Sequence, residues 1–456
     1  MLRLKQITLL LGDLVGLYLG FFLALSLRQK QIRIQTIEEL ITPMSLLFLG
    51  ALVVMFIVGL YDISKLKNSW TFYQKFIISA IIWMGLGVAY FYLVPSPAAA
   101  APKTILLLTA IIGFGISALW RWVYNSLLST TLWQTRIIFA GLTPEVNELM
   151  KLLVNEPQRG YLVIGLIVAS NETVPSEWSS IPQANSLTAL NVKNINLLVI
   201  APQYGTDKNL AKELYPKLFE HVQILRLEQF YEEIFKRIPP FTFSESWFLS
   251  NLQEQQKKIY DRVRVLVDYI AAVLMGLIWL ITFPFVAIAI KLTSSGPIFY
   301  HHTRLGRNRI PFTIYKYRTM KVLAADGSAE ISGPQFAMSE DNRITKVGKF
   351  LRRTRLDEIP QFINILKNEM SLIGPRPERP EFVEQITTTM PFYPLRHLIK
   401  PGLMGWAQLH QDYYGTIEEN LRKLEYDLYY IKNRGFLIDV AIILRTVNVV
   451  VGMKGR

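Results

Sequence analysis

Residues 265–290 read VLVDYIAAVLMGLIWLITFPFVAIAI, an apolar run long enough to enter a hydrocarbon core about 30 Å thick and interrupted only late, by Pro284. Basic residues flank both ends: Lys257, Lys258, Arg262 and Arg264 before it, Lys291, Arg304, Arg307 and Arg309 after it. A simple crossing would carry one basic cluster outward, against the tendency of Lys and Arg to stay inside. Proline has no N–H to donate and its ring crowds the carbonyl four residues back, so Pro284 predicts a break in the helix. The flanks and the proline together predict a re-entrant helix-break-helix that dips into one leaflet and returns.

Upstream lie four more apolar runs of spanning length, Ile7–Leu27, Thr42–Tyr61, Phe76–Val94 and Thr104–Tyr124. The first lacks a small-residue cleavage site and reads as an anchor rather than a signal peptide. The distribution of Lys and Arg favours both termini inside. Asp13 within the first run needs a partner, either Arg28 or a neighbouring helix. From Thr135 to about Ser250, short apolar runs alternate with amphipathic stretches, which predicts an α/β domain with a parallel sheet. Leu142-Thr143-Pro144-Glu145 follows Gly141, so the G-x-G-x-x-G phosphate turn is absent and the module is a degenerate Rossmann-like one. The expected fold is therefore membrane α plus α/β. Residues 1–130 are expected to form a four-helix transmembrane region, 131–250 a Rossmann-like cytoplasmic domain, and 251–456 a further domain carrying the re-entrant helix. Asp439 and Arg445 interrupt the apolar Phe436–Val451, which predicts an interfacial amphipathic helix.

Apolar residues make up 51% of the chain and the net charge is +14, which suits a membrane protein that meets anionic head groups and phosphorylated substrates. No nucleic-acid-binding module is recognisable, so nucleic acid is not an expected partner. The absence of cysteine excludes disulfides, thiolate catalysis and Cys-held metals. Five scattered histidines argue against a His-built metal site and leave a hard cation on carboxylates and phosphates.

The chemistry concentrates in Arg352-Arg353-Thr354-Arg355-Leu356-Asp357-Glu358-Ile359-Pro360-Gln361. Ile359, Phe362, Ile363 and Leu366 recur at helical spacing and Pro360 suits a first turn, so Asp357 and Glu358 are expected at a helix N-terminus. The macrodipole there would hold carboxylates ionised and attract phosphate. Ordinary helix capping is the plain alternative. Gly374-Pro375-Arg376-Pro377 then stiffens the backbone around one guanidinium, an arrangement suited to bidentate phosphate binding.

The string SGPIFYHHTRLGRNRIPFTIYKYRTM over 295–320, Asp341 to Gly348, RRTRLDEIPQFINILKNEMSLIGPRPE and Lys400 to Gln408 together resemble the bacterial sugar transferase family, within the monotopic phosphoglycosyl transferase superfamily. The resemblance covers roughly residues 257–450 and points to the long polyprenyl-phosphate hexose-1-phosphate transferases. It implies transfer of a hexose 1-phosphate from a UDP-sugar to undecaprenyl phosphate with release of UMP, the opening step of exopolysaccharide, capsule or O-antigen synthesis. By the same resemblance Asp357 is the nucleophile, and Glu358 orients the metal or assists the incoming phosphate. Mg2+ rests on Asp357 and Glu358, while Arg376, Lys316, Arg318 and Arg352 bind substrate phosphate. The implied setting is the bacterial inner membrane, with the catalytic domain on the cytoplasmic face among membrane lipids; a homodimer is compatible with it.

Two departures stand out. Phe283 precedes Pro284 where some relatives carry Ser, and His410-Gln411-Asp412-Tyr413-Tyr414 replaces an Asn-Gly-Arg-like turn. Arg353, Arg355, Lys346 and Lys349 read more simply as a lipid-facing basic surface. Tyr413, Tyr414, Tyr426, Tyr429 and Tyr430 are either an interfacial belt or a sugar platform, and Asp427 is read as structural. A nucleotide-sugar dehydratase or epimerase would need an intact dinucleotide turn and a Tyr-x-x-x-Lys site. A non-catalytic membrane scaffold would need neither the Asp-Glu pair nor the GPRP turn.

Overall fold

The computed structural model describes residues 2–28, 34–62, 66–94, 103–128, 134–169, 172–192, 194–205, 207–252, 257–323, 342–411 and 416–452. The chain divides into two compact units between Ile234 and Phe235.

The first unit opens with helices α1 (Leu2–Arg28), α2 (Ile34–Val58), α3 (Trp70–Leu93) and α4 (Lys103–Leu128). All four are long and apolar enough to cross a membrane. Small residues let α1 and α4 approach closely: a Cβ on Gly20 would lie 2.3 Å from Gly113 Cα. Asp13 finds its partners within this bundle, though not in Arg28. Arg121 of α4 pairs with it and donates from Nε to Oδ1 at 2.9 Å, while the Tyr61 hydroxyl donates to Oδ2 at 2.8 Å. All three side chains are buried. Leaving such a charge unpaired in an apolar bundle would cost several kcal/mol, which is why the pair is closed within the bundle.

The rest of this unit comprises β1 (Thr135–Ala140), α5 (Pro144–Asn155), β2 (Tyr161–Ile167), β3 (Gln183–Ala184), β4 (Leu197–Ile200), α6 (Lys208–Leu214), β5 (Gln223–Arg226) and α7 (Leu227–Phe235). The five strands are parallel in the order β3-β2-β1-β4-β5, that of the doubly wound fold. A ligand would ordinarily sit beyond the strand ends where β1 and β4 diverge. Here a Cβ on Gly141 would come within 2.8 Å of Ala201 Cβ and 2.9 Å of the Tyr204 ring. Side chains therefore crowd the place where a dinucleotide phosphate turn would stand.

The second unit holds α8 (Glu245–Asn251), α9 (Lys258–Thr293), β6 (Phe299–Leu305), β7 (Pro311–Tyr317), α10 (Lys346–Arg353), a 3-10 turn (Leu356–Gln361), α11 (Phe362–Leu366), β8 (Ser371–Ile373), α12 (Pro380–Thr389), β9 (Gly402–Met404), α13 (Trp406–His410), α14 (Ile417–Asn433) and α15 (Phe436–Val451). Its boundary lies ahead of the one read from composition at residue 250. Ile238 and Phe248 are buried in the same core as Leu372, Tyr393, Leu424 and Leu428. Arg237, 1% exposed, donates to Glu425 Oε2 at 2.8 Å.

The break expected at Pro284 is not found: α9 runs as one helix across it. Its 36 residues would measure about 54 Å if straight. Tertiary packing on both sides of the proline explains the continuity. Trp279, Phe283 and Val286 pack with Ile290, Tyr317 and Leu351, and the Phe283 and Phe299 rings stack 5.8 Å apart. Both ends of α9 are tied to the one unit. At its start Lys257 Nζ donates to the Ile431 carbonyl at 2.9 Å and the Tyr260 hydroxyl to Asp439 Oδ2 at 2.6 Å, while the Ser294 and Ser295 carbonyls after the helix accept from Arg318. The opposite side of α9, including Leu266, Ile270, Leu277, Ile281, Phe285 and Leu292, is exposed.

In α15 the polar residues face the protein instead of head groups. Asp439 is buried and accepts from the Tyr260 and Tyr430 hydroxyls at 2.6 and 2.8 Å. Leu437, Val440 and Val447 are exposed. The helix is amphipathic as expected, with its apolar face outward.

Candidate active site

The 3-10 turn that carries Asp357 and Glu358 begins at Arg355, whose φ of 58° is left-handed, a conformation costing a side-chain-bearing residue about 1–3 kcal/mol. The long helix expected after the pair is not formed. Only Phe362–Leu366 is α-helical, and Asn368 closes it with φ 64°. So short a helix carries little macrodipole, and side-chain cations set the electrostatics instead.

Three elements converge. Lys316 from β7 donates to Glu358 Oε1 at 2.8 Å, and Arg376 of the GPRP turn donates to the same oxygen at 2.7 Å. Arg355 Nη1 lies 3.8 Å from Oε2. Burial opposes ionisation of Glu358, but Arg376, Lys316 and Arg355 outweigh it and hold the carboxyl well below its ordinary range. Asp357 behaves oppositely. Burial, reinforced by the neighbouring Glu358 charge, pushes it up to about 6 against Lys316, Arg352 and Arg355. Its Oδ1 is buried and has no hydrogen-bond partner among the described residues. One carboxylate is thus fully engaged, while the other keeps a free lone pair.

Asn364 braces the site. Its side chain accepts from Tyr315 N at 3.2 Å and donates to the Thr313 carbonyl and Glu369 at 2.7 Å each, locking α11 to the strand that carries Lys316.

Of the residues expected to bind substrate, Lys316 and Arg376 are brought together with the pair. Arg352 donates from Nε to Thr319 Oγ1 at 2.9 Å and lies close enough to favour the Asp357 carboxylate. Arg318 is directed elsewhere: buried, it caps the Ser294 and Ser295 carbonyls. Arg355, read as part of a lipid-facing surface, belongs to the site, and no sequence signal marks it because left-handed backbone usually selects Gly or Asn. Tyr413 and Tyr414 lie outside the described residues. Tyr430 is buried on Asp439, while Tyr429 stacks on Trp406 at 5.9 Å.

Behind the GPRP turn lies a second ionic cluster that only the tertiary structure reveals. Glu378 pairs with Lys423 and stands 3.7 Å from Arg304 and from Arg396. Burial raises its pKa, but Lys423, Arg396 and Arg304 prevail and bring it down to about 2. Asp427 accepts from Arg396 Nε and Nη2 at 3.1 and 2.8 Å, the structural place expected for it.

Among the described residues no group of three or more His, Cys, Asp or Glu side chains is arranged to hold a metal. The unpartnered Asp357 Oδ1 suits a hard cation that completes its shell with water and substrate phosphate. Glu358 does not fit the metal-ligand role expected of it, because its charge is already neutralised by three cationic side chains.

The sequence model described as bacterial sugar transferase matches residues 259–453. The UDP-N-acetylgalactosamine-undecaprenyl-phosphate N-acetylgalactosaminephosphotransferase of Aeromonas hydrophila is 37% identical over 230 residues, 50% of this chain and 52% of that protein. The UDP-glucose:undecaprenyl-phosphate glucose-1-phosphate transferase of Escherichia coli (strain K12) is 42% identical over 164 residues, 36% of this chain and 34% of that protein. The enzyme of the same name from Klebsiella pneumoniae is 30% identical over 323 residues, 68% of this chain and 67% of that protein. The match thus spans about half of the first relative and a third of the second, and it extends to two thirds of the third. With that last match and the ordered motifs around Asp357, the chain belongs to the bacterial sugar transferase family.

Proposed function

We propose that the protein transfers a hexose 1-phosphate from a UDP-sugar to undecaprenyl phosphate through a phosphosugar carried on Asp357. The observation that carries this reading is the buried pair in which Glu358 is neutralised by Lys316 and Arg376 while Asp357 Oδ1 has no hydrogen-bond partner among the described residues. A carboxylate oxygen of Asp357 attacks the sugar-linked phosphorus, the bond to the α-phosphate bridging oxygen breaks, and UMP leaves with the electron pair. An oxygen of the lipid phosphate then attacks the same phosphorus and expels the Asp357 carboxylate, leaving the sugar diphosphate on the lipid. Covalent relay separates the encounter of two polyanions into two steps. Lys316, Arg355 and Arg376 offset phosphate charge, and Arg352 favours the ionised Asp357. Magnesium on Asp357 Oδ1 would supply further positive charge beside the diphosphate. The relatives act, by their names, on UDP-glucose and on UDP-N-acetylgalactosamine, so the assay must include both.

Attachment of both ends of α9 to one folded unit supports placing both ends on the cytoplasmic side of the inner membrane. Cysteines introduced at Lys258 and Thr293 should both resist an impermeant thiol reagent until the cells are permeabilised; labelling of the Thr293 site alone from outside would mean a full crossing. The central test is purified protein with a panel of UDP-sugars and undecaprenyl phosphate. Sustained UMP release is expected only with the lipid, and at most one UMP per enzyme molecule without it; release of UDP or of nothing would reject the transfer reading.

A further inference from the structure

We propose that Arg396 is a positioning residue for transfer: its buried guanidinium holds the main-chain carbonyl of Arg376 and thereby aims the Arg376 side chain at Glu358 and at substrate phosphate. The inference rests on the proposed transfer reaction for its kinetic readout.

The GPRP turn must place one guanidinium within a few tenths of an ångström, yet its prolines fix their own φ and restrict the residue before each without anchoring the turn to its surroundings. Something must hold the turn against the rest of the unit. Part of that hold is backbone pairing: Gly374 N donates to the Met404 carbonyl at 2.8 Å and Gly402 N to the Pro375 carbonyl at 2.9 Å. The next carbonyl along, that of Arg376 itself, has no such strand partner among the described residues and accepts from Arg396 Nη2 at 2.9 Å. Arg396 is 2% exposed and cannot wander. Nε and Nη2 donate to Asp427 Oδ2 at 3.1 and 2.8 Å, and Nη1 donates to the Tyr393 hydroxyl at 3.1 Å. Glu378 stands 3.7 Å from Nη1, so two carboxylates and a phenol fix the fork in one plane.

Burying so many charges is a poor way to gain stability, since apolar replacements of the same volume are often as good or better. A rigid planar fork, by contrast, does something an apolar core cannot: it grips a carbonyl at one end while being held at the other. The consequence reaches the reaction through one residue. The carbonyl that Arg396 holds and the side chain that donates to Glu358 Oε1 at 2.7 Å belong to the same Arg376.

The test is a double-mutant cycle on the full chain, reading kcat and KM for UMP release and, independently of turnover, the Kd for UDP. Arg396→Lys keeps the charge and loses the fork. It should lower kcat roughly 10- to 100-fold per folded molecule, the penalty of an ångström-scale misplacement. Introduced into an Arg376→Ala background, it should cause almost no further loss in kcat or in UDP affinity, because its effect travels through the side chain already removed. Should Arg396→Lys fail to fold, Asp427→Asn, which weakens the hold on the same fork, replaces it in the cycle with the same expectation. Losses that multiply across the cycle would overturn the proposal. So would a variant whose activity falls only in proportion to folded protein, with kcat and KM per folded molecule unchanged. Wild-type protein that binds UDP but releases no UMP would reject the transfer reading while leaving the cycle to be decided on Kd alone.

Discussion

Two ionic clusters stand side by side in the second unit and are built on opposite principles. Around Asp427, Glu378, Arg396 and Lys423 each charge has an opposite partner, and Arg237 with Glu425 repeats the pattern. Around Asp357 and Glu358 the pairing is lopsided: three cations serve one carboxylate, and the other keeps a buried oxygen with no hydrogen-bond partner among the described residues. A satisfied buried cluster specifies geometry, whereas an unsatisfied one stores reactivity, since a desolvated carboxylate lacking donors is a better nucleophile than a hydrated one.

That contrast can be broken at several points. The largest effect is expected from where the unit is cut. A chain starting at Asn251 loses Ile238, Phe248 and Arg237, leaving a core gap and a bare buried Glu425, and it should fail to fold; one starting at Phe235 should keep its near-UV dichroism and cooperative melting. Equal behaviour of the two would show that residues 235–250 contribute nothing to the unit.

Next, Asp357→Asn should lower transfer by roughly 10⁴-fold or more while leaving the melting temperature within about 2 °C of wild type, because the amide matches the shape and removes a repelling charge. Mass spectrometry checks the chemistry: a phosphosugar adduct persisting in the variant would place the nucleophile elsewhere.

Asp427→Ala should do the reverse. It leaves Arg396 without its main counter-ion and should destabilise by about 3–5 kcal/mol, a drop of roughly 6–20 °C in melting temperature for a unit of this size. A variant melting with wild type would mean that the cluster is not closed.

The smallest effect concerns pH. With Asp357 raised to about 6, its reactive carboxylate form is lost as pH falls through 6, so UMP release should decline below that point. Added Mg2+ should stabilise the carboxylate and move the limb to lower pH. A limb indifferent to Mg2+ would argue against a cation on Asp357.

Much of this was legible beforehand. Apolar run length gave four helices long enough to cross a membrane, alternating patterns gave the parallel sheet, and the missing glycine turn after Gly141 matches a switch point crowded by Ala201 and Tyr204. The adjacency of Asp357 and Glu358, with Lys316 and Arg376 near in motif, marked the site. These are properties of composition and local spacing, which a chain carries whether folded or not.

Other features depended on residues far apart in sequence. Arg318 was taken from the site by the Ser294 and Ser295 carbonyls, and Arg355 was brought into it by a left-handed backbone. Pro284 did not break α9 because Phe283 and Val286 pack against Tyr317 and its neighbours. The different fates of Asp357 and Glu358, adjacent and chemically alike, were settled by which cations the fold brought to each. Sequence supplies the ionisable groups and their local geometry; burial and long-range partners decide their charge, because both are set only when distant segments exclude water together.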